Sequence, residues 1–133
     1  MRTREVGTPI PKEVDDLGFR VIGCGINVHR ILGPGFREII YRRAFCLELD
    51  DAGLSFEAEK KILVPYKDRL IDGHRIDLIV QGSIVVELKA VPRVNELHRR
   101  QVLSYLKATG LRLGYVLNFN VEVLKDGTRR VVN

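Results

Sequence analysis

The segment RIDLIVQGSIVVELKA, residues 75–90, holds two short apolar runs around a glycine, and each run carries a carboxylate. Asp77 lies in the first and Glu87 in the second, with Lys89 two residues on. If the turn is the three residues Gln81, Gly82 and Ser83, the runs fold into a hairpin in which Val80 faces Ile84 and Asp77 faces Glu87. Residues opposed in this way lie about 4.5–5.5 Å apart on one face, where like charges repel. A divalent cation would convert that repulsion into a binding site, because Mg²⁺ takes oxygen ligands, often one or two carboxylates, and keeps water at its other positions. The ordinary alternative is that Lys89 neutralises Glu87 on a solvated sheet face. The metal reading depends on the turn, since a two-residue loop would send the carboxylates to opposite sides.

Two further groups could join this chemistry. Glu38 and Tyr41, in GFREIIY, are three residues apart and share a helical face, with Glu38 in the first turn, where a carboxylate is favoured by the helix dipole. His98, Gln101 and Tyr105, in HRRQVLSY, recur at three and four and form a polar stripe on a later helix. Each has a plainer role available, a charge partner for a helix end and the wet side of a helix.

The elements that must carry these residues follow from periodicity. Leu17, Val21, Cys24, Val28 and Ile31 predict a helix over residues 14–32, within which Gly18, Gly23 and Gly25 each cost something like 1 kcal/mol unless a neighbour packs closely or the helix is shorter. Gly33, Pro34 and Gly35 end it. A second helix presents Ile39, Phe45, Cys46 and Leu49 and stops at Gly53. LSFEAEKKILVPY alternates, with Phe56, Ala58, Lys60, Ile62 and Val64 on one side, and is expected to be a strand that turns near KDR into residues 75–90. In the last of these, Val85 and Lys89 share the face of Glu87 while Ile84, Val86 and Leu88 point into a core. A helix over residues 94–109, a buried strand at RLGYVLNF and a terminal hairpin turning at Asp126 and Gly127 complete the chain.

The 133 residues suit one domain, residues 14–133, preceded by a polar, flexible arm over residues 1–13. With 45% hydrophobic and 29% charged residues the chain is too apolar for disorder. Its net charge of +5 favours a polyanionic partner. Cys24 and Cys46 lack CxxC spacing and sit in apolar stretches, so buried thiols in a reducing compartment are expected. No apolar run approaches the roughly 20 residues of a membrane span, and the first residues contain no signal-peptide core, so a cytoplasmic protein with no membrane partner is expected.

Taken in order, VHRILGPGFREIIY, RIDLIV, VVELKA, HRRQVLSYLKATG, GYVLNFN and KDGTRRVVN resemble the GxxExxY protein family, whose name pattern is met by Gly35, Glu38 and Tyr41. That family is similar to the PD-(D/E)XK nuclease superfamily. The resemblance implies an α/β (α+β) fold, a mixed central β-sheet flanked by helices with a restriction-endonuclease-like core, and cleavage of nucleic acid with Mg²⁺, or Mn²⁺ in its place. It makes Asp77 and Glu87 metal ligands, with Glu38 completing the site directly or through water. Lys89 becomes the residue that orients water and stabilises charge at the phosphate, and Gln101 with Tyr105 match the QxxxY motif lining the site. The proline that names the superfamily motif is absent before Asp77, where Ile76 stands.

The expected activity is a metal-dependent phosphodiester hydrolase acting on DNA or RNA, with catalytic Glu38, Asp77, Glu87, Lys89, Gln101 and Tyr105. Arg37, Arg42, Arg43, Arg99 and Arg100 are candidates for backbone contacts to the nucleic acid. The alternatives are a module on the same fold that binds nucleic acid or protein without cutting, and a homodimer paired through a sheet edge or the GYVLNF strand.

Overall fold

Pro11, which has no N–H to leave unpaired, precedes helix α1 (Lys12–Leu32) in the computed structural model, which describes residues 9–133. The polar arm expected over residues 1–13 lies outside the described residues as far as residue 8, and α1 begins two residues before the expected start. Val21, Cys24 and Val28 are buried, as the spacing predicts, but Ile31 is 72% exposed and Leu32 packs on the core in its place. Close packing explains two of the three glycines. A Cβ on Gly18 would stand 2.6 Å from the Tyr115 hydroxyl, and one on Gly25 would stand 3.1 Å from Leu124 and 3.2 Å from Leu117.

Gly33 and Gly35 have φ of +67° and +109°, a backbone region that favours glycine, and they turn the chain into α2 (Glu38–Asp51). Tyr41 closes that turn. Its hydroxyl donates to the Gly33 carbonyl at 2.6 Å and accepts the Phe36 N–H at 3.1 Å, while its ring stacks on Phe119 at 4.6 Å. Tyr41, Phe45 and Leu49, one turn apart, are the buried face of α2; Ile39, expected on that face, is 37% exposed.

Five strands form a sheet in chain order: β1 (Phe56–Tyr66), β2 (Arg69–Val80), β3 (Ile84–Lys89), β4 (Leu113–Asn118) and β5 (Thr128–Val132). All neighbours are antiparallel except β3 and β4, which are parallel and joined by helix α3 (Glu96–Thr109), the crossover such a pairing needs. Helices α1 and α2 cover one face through Leu78, Val80, Val86, Leu88 and Leu117. Helix α3 covers the other, with Val102 and Leu106 among Ile79, Val85 and Val116. Both faces are therefore apolar over most of their area, and the polar character expected on the Glu87 face is confined to the end that holds Glu87 and Lys89.

Two expectations about the C-terminal part are corrected. Strand β4 has β3 on one side and β5 on the other, so GYVLNF has no free edge with which to pair between chains. The terminal hairpin is instead a 3₁₀ turn (Leu124–Gly127) leading into β5, because Leu124 is drawn into the core and β5 finds its partner in β4. A Cβ on Gly127 would lie 2.2 Å from the Asn118 carbonyl oxygen, so only glycine fits that turn. Cys24 is buried and Cys46 half-buried, both as free thiols. No helix among the described residues is long and apolar enough to cross a membrane.

Candidate active site

The three-residue turn forms as the sequence predicts. Val80 pairs with Ile84, Ile79 with Val85 and Leu78 with Val86, and the ladder between β2 and β3 ends there. At the next position the carboxylates replace the ladder: Glu87 Oε1 accepts the Asp77 N–H at 2.9 Å, and Asp77 Oδ2 accepts the Leu88 N–H at 3.0 Å. Each carboxylate is thus fixed by the backbone of the opposite strand through one oxygen.

The neighbouring strand explains why Asp77 is free to turn inward. On β1, Ala58 pairs with Leu78 and Lys60 with Ile76, while Glu59 and Asp77, opposed between them, are absent from the ladder. Glu59 has φ +51°, unusual for a side chain other than glycine. Alternation inverts across this point in both strands: Phe56 and Leu78 pack toward α1 and α2, whereas Ile62 and Ile76 pack toward α3. Ladder irregularities beside functional sites re-aim side chains in this manner.

Glu87 is only 4% exposed. Burial, then the neighbouring Asp77 carboxylate, push its pKa up to about 8, although Lys89 and the Asp77 N–H pull it down. This decides between the two sequence readings of the triplet. Lys89 makes no ion pair with Glu87 within 4.0 Å, and its charge does not overcome burial and the second carboxylate, so simple neutralisation on a wet face is excluded.

Helix α3 supplies the opposite wall. Asn95 and His98 form a reciprocal cap, the Asn95 side chain accepting the His98 N–H at 3.1 Å and His98 Nδ1 accepting the Asn95 N–H at 3.2 Å. His98 therefore anchors the helix start. One turn further along, Gln101 and Tyr105 line a cavity together with Lys89. The Tyr105 hydroxyl meets His74 Nδ1 at 3.1 Å, and burial, then the charges of Glu87 and Asp77, push its pKa up to about 12. Tyr105 thus stands as a protonated phenol in the field of both carboxylates. His74, on β2, was missed in the sequence because simple alternation puts it on the side away from Asp77; only the inversion at Asp77 brings it to α3.

Other expected members fall elsewhere. Among the described residues no three His, Cys, Asp or Glu side chains come together as a metal-holding group, so Glu38, Asp77 and Glu87 do not form one. Glu38 instead faces Arg42 at 3.8 Å, and Arg42 reaches Glu59 at 2.9 Å. Arg42 is consequently an internal strut between α2 and β1, not a free cation for a phosphate. Arg99 is held by Glu96 through three hydrogen bonds. Arg37, Arg43 and Arg100 are exposed, and of the five arginines only Arg100 borders the cavity beside Lys89.

A mixed sheet with a single parallel junction, helices on both faces and an Asp, Glu-x-Lys set at its open end is the arrangement on which a family comparison bears. The family model of the PD-(D/E)XK nuclease superfamily matches residues 15–131. The chain belongs to the PD-(D/E)XK nuclease superfamily. No curated protein and no solved structure matches it. Superfamily membership points to a nuclease-type function, and PD-(D/E)XK nucleases generally use divalent metal ions. The donor set fits such an ion: half-buried Asp77 and buried Glu87 bring hard carboxylate oxygens to one end of the sheet, each spending one oxygen on the backbone of the opposite strand.

Proposed function

We propose that this PD-(D/E)XK protein, of the GxxExxY type through Gly35, Glu38 and Tyr41, is a metal-dependent nuclease that hydrolyses phosphodiesters of DNA or RNA with Mg²⁺ or Mn²⁺. The observation that carries the reading is the crossed pair of bonds from Asp77 and Glu87 to each other's strand, which holds the two carboxylates together at one end of the sheet. In the metal-free protein the raised pKa of Glu87, about 8, lets a proton relieve the pair, and a divalent ion would take the place of that proton.

Asp77 and Glu87 would hold the ion. Bound there, a divalent ion polarises the phosphate and lowers the pKa of a water molecule. Lys89 brings a positive charge to the same end of β3 and stabilises the charge that develops on the phosphate. Tyr105, kept protonated, has a hydrogen to give the substrate when its oxygen accepts from His74 Nδ1–H; Gln101, one turn before it, orients the substrate from the helix side. Glu38 acts from further away, through Arg42 and Glu59, on the position of Asp77.

The test is a titration of Mg²⁺ and Mn²⁺ followed by thermal unfolding, on the wild type and Asp77→Ala, beside a cleavage assay on single- and double-stranded DNA and RNA. Metal-dependent stabilisation is expected in the wild type and lost in Asp77→Ala. Glu87→Gln should abolish cleavage with the fold intact, and Lys89→Ala should impair turnover more than metal binding. Wild-type cleavage by both of these variants would overturn the assignment.

A further inference from the structure

Between the outer half of the β1 and β2 ribbon and the exposed side of α3 lies a cavity of about 650 Å³. Its walls are of two kinds. Ile62, Val64, Leu97 and Ala108 provide apolar surface, and His74 and Tyr105, edge to face at 5.6 Å, provide aromatic surface. The polar groups are Lys89, Arg100, Gln101, His98 and Ser104, and no carboxylate is among the lining residues. The volume falls within the roughly 300–1,000 Å³ of sites that take a small organic group.

We propose that this cavity seats one unpaired nucleotide next to the scissile phosphate, so that the substrate is a single strand or a duplex with a nucleotide already free of its partner. The inference rests on the nuclease reading for the location of the phosphate. Lys89 belongs both to the carboxylate end of β3 and to the cavity wall, so a strand whose phosphate lies beside Lys89 enters the cavity with its next nucleotide. The charge pattern suits a phosphodiester: Lys89 and Arg100, the latter also facing Glu96 at 3.7 Å, are cations of the wall, and no carboxylate is among its lining residues. Apolar and aromatic walls match the face of a base, which gains by stacking whatever its identity. The Gln101 amide offers a donor and an acceptor for a base edge. A paired duplex hides its bases in the stack and cannot fill the cavity unless a nucleotide is flipped out.

The test compares ligands of equal length, the two single strands also equal in charge and the duplex carrying about twice as much, in metal-free buffer so that binding is read apart from cleavage. The probes are a fluorescent oligo-dT 12-mer, a 12-mer of the same backbone made wholly of abasic sites, and a blunt 12-base-pair duplex, each measured by anisotropy. The oligo-dT should bind about tenfold more tightly than either of the others, the scale of stacking one base. Ala108→Trp fills the cavity from an exposed helix position and should bring oligo-dT down to the abasic level, leaving Mg²⁺-dependent thermal stabilisation unchanged. Ser104→Trp, also exposed, serves the same purpose should Ala108→Trp fail to fold. Equal affinity for oligo-dT and the abasic strand, binding of the duplex as tight as that of oligo-dT, or indifference to a folded filling variant would overturn the proposal. Absence of metal-dependent cleavage would strike the nuclease reading alone, because none of these binding results depends on it.

Discussion

Arg42 on α2 and Glu59 on β1 form an ion pair at 2.9 Å, and Glu59 stands across the ribbon from Asp77 where both strands leave the ladder. The strut links the helix carrying Glu38 to the backbone irregularity that frees Asp77. Exposed ion pairs contribute only about 0.2–1 kcal/mol, and the Glu59 side chain is 64% exposed, so stability should barely change when the pair is removed. Metal affinity should change more. Arg42→Gln and Glu59→Gly are expected to weaken Mg²⁺ binding by up to about tenfold, the scale of lost support around a metal site, as measured by calorimetric titration. Glu59→Gly keeps the left-handed backbone, so an effect there isolates the ion pair from the φ angle.

Glu87 gives the metal-free protein a definite pH dependence. Its folded pKa of about 8 lies above the ordinary carboxylate value, so between the two the folded state holds a proton that the unfolded chain has lost. Stability is fullest below the ordinary value and falls as pH rises toward 8, by up to about 1.4 kcal/mol per pH unit from this group. Urea unfolding across pH 4 to 9 checks it against Glu87→Gln, in which the same fall should be absent.

Metal binding should run the other way with pH. The ion must displace the Glu87 proton, so Mg²⁺ affinity is expected to rise by up to about tenfold per unit of pH below 8 and to level off above it. Titrations at three pH values in that range decide the point, and a flat profile would mean that Glu87 is not a ligand.

The glycines of α1 should respond in opposite senses. Gly23 has nothing within 4 Å of an added Cβ, so Gly23→Ala is expected to stabilise the protein by about 0.5–1 kcal/mol. Gly18→Ala would press a methyl group to 2.6 Å from the Tyr115 hydroxyl and should destabilise by about 1–3 kcal/mol. Chemical denaturation of the two variants side by side measures both.

Tyr41→Phe tests the turn before α2. It removes the bond to the Gly33 carbonyl and leaves the Phe36 N–H without its acceptor, with the ring and its stacking on Phe119 retained. A loss of about 1–3 kcal/mol in denaturant unfolding is expected.

The hairpin register was legible because only the length of the turn had to be inferred, and Gln81, Gly82 and Ser83 advertise it. Helix α3 was legible because Leu97, Leu103 and Leu106 recur at helical spacings and Gly110 stops it, although Leu97 is 71% exposed. Glu59 was not, since nothing in LSFEAEKK distinguishes a strand that alternates from one that inverts midway; period-two reasoning therefore carried Ile62 and Phe56 to one face and missed His74. The arginines misled for a related reason. Sequence gives their charge but not their partners, and the acids that occupy Arg42 and Arg99 are Glu59, on another element, and Glu96, on the same helix.

The separation of Asp77 from Glu87 by a single tight turn has a kinetic consequence. Closing so short a loop takes well under a microsecond and a hairpin forms in about 1–10 µs, whereas the parallel pairing of β3 with β4 must wait for the whole α3 crossover to close. The Asp77 and Glu87 pair is therefore expected to come together through local contacts, before the β3 and β4 pairing closes. Mg²⁺ present during refolding should accelerate the folding limb of a chevron and leave the unfolding limb nearly unchanged, making the ion a partner of the nascent chain before it serves the finished fold.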